Sequence, residues 1–196
     1  MIYLGEYERD GIQGHLMTHL SCGNLNNPGG RRLEYFADNY DTISNRDLDC
    51  DNSKQSDQKI EWVGEERFST SHERCGDNRE DCGSSTNGYK NTQEIIEHYE
   101  SLDSDNTATA AHFCDNLTID GYDDWYLPST EELKLLFSRW GNRSWERSLG
   151  ITGGRSRYWT STQSNNRYAK TIRKNQEEDT WQKGEEEYVR CVRFGY

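Results

Sequence analysis

Long hydrophobic runs are absent from this 196-residue sequence. No segment approaches the ~20 consecutive apolar residues that a helix needs to span a bilayer, so membrane insertion is not expected. Hydrophobic residues make up only 31% of the chain, and its mean hydropathy of −1.15 is in a range shared with disordered proteins. Six Trp and twelve Tyr argue against disorder, because each buried aromatic side chain removes roughly 150–250 Å² of surface from water. We expect a small aromatic core with long polar loops.

An internal linker rich in Pro, Gly and Ser is also missing, and the length suits one hydrophobic core. The sequence therefore predicts a single domain over residues 1–196, with an acidic loop insertion at 37–58 and an irregular, cysteine-bearing loop at 66–91. The first residues lack the basic-then-apolar pattern of a secretory signal. We expect the chain to leave the cell within an assembled particle, to have lost its signal, or to stay in the cytosol.

Motifs of the common enzyme classes are missing as well. There is no Ser-His-Asp order, HExxH, Walker loop or dinucleotide glycine motif. Asp123 and Asp124 are adjacent, so a strand or turn directs them apart, and they are expected to brace a turn rather than act as paired acid and base. His15 and His19 alternate in a predicted strand without an obvious third ligand. The sequence thus predicts no enzyme, no metal site and no cofactor.

The stretch from Ala110 to Trp140 carries the clearest local structure. It contains two helical patterns joined by an aromatic turn at Gly121–Ser129. Ser129 and Glu132 form a capping box, in which each side chain bonds the other residue's amide. The apolar residues at helical spacing are Ala110, Ala111, Phe113, Cys114 and Leu117 before the turn and Leu133, Leu136, Phe137 and Trp140 after it. Two helices flanking a compact turn are predicted.

Strands are predicted at both ends of the chain. Residues 2–20 form a hairpin about Asp10-Gly11, and a short buried strand contains Ile60–Val63. Asn91 and Glu94 are expected to cap a helix that ends at Tyr99. The C-terminal part reads as strands at Arg167–Arg173, around Trp181, and over Tyr188–Phe194.

These motifs resemble a bacterial and phage family named after the C-terminal domain of a Legionella collagen-like adhesin. The segments that carry the resemblance are Gly5–Tyr7, Gly11–Ile12, Ile60–Trp62, Gly88–Ile96, Cys114–Leu117, Gly121–Ser129, Glu132–Leu133, Tyr158–Thr162 and Tyr188–Arg193. That family is similar in fold to C-type lectins and to formylglycine-generating enzymes. The resemblance implies an α+β, C-type-lectin-like fold with two main helices, a small twisted antiparallel sheet and long loops. It also implies paired N- and C-terminal strands, with Ile2–Leu4 near Val192–Phe194.

The activity of the formylglycine-generating enzymes is not carried over by this resemblance. Those enzymes use two neighbouring cysteines near the C-terminus, whereas Cys191 has no near neighbour. Six cysteines nevertheless favour an oxidising destination. The sequence does not fix their pairing; the pairs that we expect are Cys75–Cys82, Cys114–Cys191 and Cys22–Cys50. Six reduced thiols remain the alternative.

Charge is distributed unevenly along the chain. Residues 137–176 hold nine basic residues and one acid, a net +8 within a chain of net −12, which leaves −20 for the remainder. Such a region can concentrate an anionic partner, and aromatic rings, amides and guanidinium groups suit sugar rings, hydroxyls and anions respectively. The predicted ligand-binding residues are Arg143, Trp145, Arg157, Gln163, Asn165, Asn166, Arg167, Tyr168, Lys170, Arg173, Lys174 and Trp181.

Two non-enzymatic functions fit this pattern. The first is an extracellular or surface-exposed recognition module, such as a phage virion fibre, a decoration protein or an adhesin, that binds an anionic glycan or host surface polymer. The second is an architectural subunit of a virion or filament, whose basic face docks on an acidic neighbour, which is either another copy in a homo-oligomer or a neighbouring virion or filament subunit. Alternatively, the basic residues only balance the chain's own acids. Nucleic acid is not an expected partner, because the −20 surround repels a long polyanion.

Overall fold

The computed structural model describes residues 2–18, 59–62, 83–100, 110–119, 121–138, 156–165 and 167–195. Within these ranges the chain forms eight strands in two sheets, together with three helices. In chain order the elements are β1 Ile2–Arg9, β2 Ile12–Thr18, β3 Lys59–Glu61, α1 Gly88–Glu100, α2 Ala110–Asp115, α3 Thr130–Ser138, β4 Arg157–Gln163, β5 Tyr168–Arg173, β6 Glu178–Gln182, β7 Glu186–Tyr188 and β8 Val192–Gly195. Helices and strands are thus combined, as the sequence predicted.

The first sheet contains the N-terminal hairpin and the last strand, in the order β1-β2-β8. Asp10 and Gly11 form the hairpin turn with φ of 50° and 80°, which confirms the predicted turn. β8 pairs with β2, not with β1, and Thr18 lies opposite Val192. The expected pairing of the first strand with the last is therefore corrected, because β2 lies between them. Leu4 and Val192 still belong to the same hydrophobic cluster.

The second sheet has the order β3-β7-β4-β5-β6. Its pairs are antiparallel except for β4 and β7, which are parallel where Tyr158 lies opposite Tyr188, so the predicted antiparallel sheet is only partly correct. The closing strand predicted over Tyr188–Phe194 is divided, because β7 belongs to the second sheet and β8 to the first. The segment Val189–Cys191 connects the two sheets.

A disulfide holds this crossover in place. Cys114 of α2 bonds Cys191, with 5.4 Å between their Cα atoms and 77 residues of sequence separation, and both residues are fully buried. This pair was predicted and is confirmed. The other four cysteines, Cys22, Cys50, Cys75 and Cys82, lie outside the described residues, so their predicted pairs stay predictions.

Helix α1 begins earlier than predicted. It starts at Gly88, inside the range 66–91 that was expected to be irregular, and its N-cap is Asn87, whose Oδ1 accepts the Lys90 amide at 2.9 Å. Asn91 lies within the helix, where its Oδ1 accepts the Ser84 amide at 2.7 Å. The prediction that Asn91 caps the helix is therefore wrong, and the described ranges hold three helices where two main helices were expected.

The second sheet separates two hydrophobic clusters. On one side, Leu133, Leu136 and Phe137 of α3 pack with Tyr158 and Ile172. The other cluster contains the buried residues Trp62, Ala110, Cys114, Trp125, Trp159, Ala169 and Cys191. Because both sides of the sheet face the core, a site on this sheet has to lie at an end or an edge.

Candidate ligand-binding site

The most family-like part of the sequence builds a buried brace around Glu132. This carboxylate is fully buried. Its Oε2 accepts the amides of Gly88 at 3.0 Å and Ser129 at 2.8 Å, together with the Ser129 hydroxyl at 2.8 Å. Its Oε1 accepts the hydroxyl of Tyr126 at 2.8 Å. Burial raises the pKa of Glu132, and these four hydrogen bonds oppose that shift.

The brace joins the N-termini of two helices. Glu132 completes the predicted capping box of α3, and the same oxygen accepts the first amide of α1. Gly88 is required there, because a Cβ at this position would lie 2.5 Å from the Ser129 amide nitrogen and 2.7 Å from the Leu127 carbonyl oxygen. The motif residues at 88 and 126–132 therefore hold the two helices together.

Asp124 in the same turn also supports the fold. Its two carboxylate oxygens accept Nε and Nη2 of Arg193 at 2.7 and 2.8 Å. The Arg193 guanidinium lies 3.8 Å from the centre of the Tyr122 ring. The expectation that Asp124 braces the turn is consistent with this bidentate pair, which ties the turn to β8.

An ion-pair network takes up part of the predicted basic region. Arg157 contacts Asp179 at 3.2 Å, and Arg173 contacts both Asp179 at 3.0 Å and Glu177 at 3.1 Å. Lys170 contacts Glu178 at 2.9 Å. The antiparallel pairing of β5 and β6 brings these acids near the cations, because Asp179 lies opposite Thr171 and Glu178 opposite Ile172, each two residues along the strand from Arg173 and Lys170 respectively.

The acids respond electrostatically to this pairing. Burial alone would raise the pKa of Glu178, but hydrogen bonds from Lys170 and Lys134 lower it below its ordinary value. Internal charge balance, the alternative to ligand binding, therefore accounts for Arg157, Lys170 and Arg173. Ligand contact by these three residues stays a prediction.

The strand register divides the predicted residues between two faces of the second sheet. Tyr168 lies opposite Gln182, and Lys170 opposite Thr180, so their side chains share one face. Gln163, Ala169 and Trp181 form a row on the other face, which we call the Trp181 face. Arg157 also belongs to the Trp181 face, and its guanidinium lies 3.9 Å from the centre of the Trp181 ring.

The end of the Trp181 face holds three side-chain donors, none of which pairs with a carboxylate of the described residues. The Lys183 amide donates to the Arg167 carbonyl oxygen at 3.0 Å, so these two residues lie opposite each other. They are two residues along their strands from Ala169 and Trp181, and therefore on the same face, one row further towards the end of the sheet. Arg167 is exposed, whereas Gln163 is only 7% and Lys183 only 1% exposed. Nε2 of Gln163 is buried without a hydrogen-bond partner. We call Gln163, Arg167 and Lys183 the donor cluster.

Lys183 lies in an apolar setting. Its Nζ is 4.6 Å from the centre of the buried Trp62 ring, and the Trp62 amide donates to the Lys183 carbonyl at 3.0 Å. Among the residues that the structure describes, no carboxylate forms an ion pair with this ammonium group. Burial lowers the pKa of Lys183 from 10.5 to about 7.

The turn between β4 and β5 is fixed by its own side chain. Oδ1 of Asn165 accepts the amides of Arg167 at 2.9 Å and Tyr168 at 3.0 Å. Asn165 is therefore occupied by the turn that positions Arg167. Lys174 lies in the turn between β5 and β6. The remaining predicted ligand residues, Arg143, Trp145 and Asn166, lie outside the described residues.

Of the residues on this face, Gln163, Arg167 and Trp181 were among the predicted ligand-binding residues, whereas Lys183 and Trp62 were not. Lys183 stands just before Gly184 and a run of three glutamates, which is typical of a solvated turn. A signal was present in the alternation of Trp181 and Lys183, which places them on the same face of a strand. Nothing in the sequence indicates that Trp62 covers Lys183.

Over the described part of the chain, no three His, Cys, Asp or Glu side chains are grouped so that they could hold a metal ion. No helix in those same ranges combines the length and the apolar character that crossing a bilayer requires.

Comparison with known proteins identifies a family. Residues 54–193 match the family model described as the Lcl C-terminal domain. This range contains α1–α3, β3–β7 and the first half of β8, together with the donor cluster and the Glu132 brace. No curated protein matches the chain. The match confirms the family that the motifs predicted.

Proposed function

Because the chain belongs to the Lcl C-terminal domain family, we propose that it is a non-catalytic recognition module that binds an anionic glycan or another host surface polymer. Membership of the family supports an extracellular role in binding or adhesion. The buried disulfide between Cys114 and Cys191 supports an oxidising destination. The module is carried on a cell surface or a virion, on a C-type-lectin-like scaffold.

The donor cluster at one end of the second sheet carries this proposal. Lys170 and Arg173 are neutralised by neighbouring acids, whereas no described acid pairs with Arg167 or Lys183. Arg167 presents a guanidinium group to solvent, a group that binds carboxylates and sulfates bidentately. An anionic polymer therefore has more to gain at the donor cluster than along the ion-paired strands.

Two variants of equal charge change test the proposal. Arg167→Gln removes an exposed cation with which no described acid pairs, while Arg173→Gln removes a cation that already contacts Glu177 and Asp179. On an array of anionic glycans we expect Arg167→Gln to weaken binding at least about tenfold, since a charged hydrogen bond contributes roughly 1.5–3 kcal/mol. Arg173→Gln is expected to retain binding within about threefold.

The same two proteins are compared by thermal unfolding and by light scattering, so that folding and oligomeric state are known. Equal binding by wild type and Arg167→Gln would overturn the donor cluster as the site. Lost assembly in Arg167→Gln, with no glycan bound by the wild type, would instead favour the architectural subunit.

A further inference from the structure

Two buried polar groups in the donor cluster lack, among the described residues, the partners that such groups normally have. Gln163 leaves an amide N–H₂ group without an acceptor, and Lys183 contacts the Trp62 ring without a described counter-ion. An unpaired buried donor costs about 1–3 kcal/mol, and an unpaired buried charge costs more. One anion placed between them would remove both costs.

The strand register brings the two groups within reach of one small anion. Gln163 and Lys183 are two strands and one row apart, because Gln163 lies opposite Ala169 while Lys183 lies opposite Arg167. With strands ~4.8 Å apart and rows about 7 Å apart, their Cα atoms are roughly 12 Å from each other. Two long side chains and one small group span such a separation.

Resting on the proposed function, we propose that the donor cluster binds a single carboxylate of the glycan, with Lys183 as its counter-charge and the Gln163 amide as its second donor. Arg167, exposed at the rim, binds the next polar group of the sugar. The ligand class is therefore a polymer or terminal sugar that contains uronic or other sugar carboxylic acids.

Charge and donor count favour a carboxylate over other anions. The cluster has one fully buried cation, which compensates one negative charge; a phosphate monoester carries up to two charges. The two buried donor groups match the two oxygens of a carboxylate. A sulfate ester is also singly charged, but it is tetrahedral and has a third oxygen, so it needs more room between the two donor groups than a planar carboxylate does.

Three matched oligosaccharides test this assignment in solution by calorimetry. They are a uronic-acid oligosaccharide, the same oligosaccharide with its carboxyl groups reduced to alcohols, and a sulfated form of the reduced compound. We expect the carboxylated compound to bind, and the reduced compound to bind at least about tenfold more weakly. The sulfated compound should recover less than half of the difference in log Kd between the carboxylated and the reduced compound.

Variants connect the preference to the named residues. Lys183→Met and Gln163→Glu should each remove the preference for the carboxylated compound, the first by removing the counter-charge and the second by adding a like charge. Arg173→Gln should preserve it. Binding at pH 8 should also take up protons from the buffer, because a carboxylate beside Lys183 raises the pKa of the free amine; heats measured in two buffers report this uptake.

The outcomes separate the two proposals. Tight binding of the sulfated compound alone, or an unchanged preference in Lys183→Met, would overturn the carboxylate assignment and leave the recognition function standing. Failure of all charged compounds to bind the wild type would overturn both.

Discussion

Glu132 and Lys183 are both buried ionisable side chains, but their surroundings differ in the partners that they provide. Glu132 is surrounded by four hydrogen-bond donors from Gly88, Tyr126 and Ser129. Lys183 faces the Trp62 ring, with no acid among the described residues to pair with it. The brace around Glu132 is complete without a partner, while the donor cluster around Lys183 is not. This difference is what separates a structural motif from a candidate site in this domain.

The largest expected effect is the loss of stability when the Glu132 brace is removed. Glu132→Ala leaves four buried donors without an acceptor, and we expect the free energy of unfolding to fall by about 4 kcal/mol. Urea unfolding followed by Trp fluorescence measures the change. A loss below about 1 kcal/mol would show that the brace contributes little.

Glu132→Gln is the matched control for this loss. Its amide oxygen can accept the Gly88 and Ser129 donors, while its amide nitrogen can donate to the Tyr126 hydroxyl oxygen. We expect this variant to lose about 1–2 kcal/mol, because the Gly88 and Ser129 donors keep an acceptor while the Tyr126 O–H loses the carboxylate oxygen to which it donates. A loss equal to that of Glu132→Ala would mean that the negative charge itself, rather than the set of hydrogen bonds, maintains the brace.

A smaller effect of opposite sign is expected at Lys183. The unfolded chain keeps the Lys183 proton up to a pKa near 10.5, whereas burial lowers the folded-state pKa to about 7. The folded protein therefore binds fewer protons between these values, so the stability of the wild type rises as pH increases across this window and is lost as pH falls to about 7. Lys183→Met should be more stable than wild type by about 2–4 kcal/mol at pH 7.

Unfolding curves for both proteins at several values of pH between 7 and 10 check the prediction. The gain from Lys183→Met should shrink as pH rises, because the wild type then folds with a neutral amine at little cost. A variant that is less stable than wild type at pH 7 would indicate that Lys183 already has an anionic partner within the chain.

Local signals allowed much of the scaffold to be predicted. The capping box of Ser129 and Glu132 and the hairpin turn at Asp10-Gly11 depend on neighbouring residues, and both are confirmed. The contact of Glu132 with Gly88 could not be predicted in this way, because it joins residues 44 apart. The division of the closing strand at Cys191 was missed for a similar reason, since pairing with two different sheets decides it.

The residue types of the candidate site were predicted from the sequence, but their arrangement in space was not. The sequence indicated a basic, amide-bearing region, and the structure places Gln163, Arg167 and Trp181 on one face. It also pairs Lys170 and Arg173 with acids that follow in the next strand. A count of charge along the chain cannot detect this pairing, because the hairpin register, rather than sequence distance, selects the partners.

The titration of Lys183 in the ligand-free protein tests the central claim most directly. Selective ¹³C labelling of lysine and NMR spectra recorded from pH 5 to 11 follow the Cε signal of this residue, assigned by its loss in Lys183→Met. Our account predicts a midpoint near pH 7, as expected for a buried amine with no counter-ion. A midpoint near 10.5 would contradict it, because the ammonium group would then be solvated or already paired, and the donor cluster would have no vacant place for an anion.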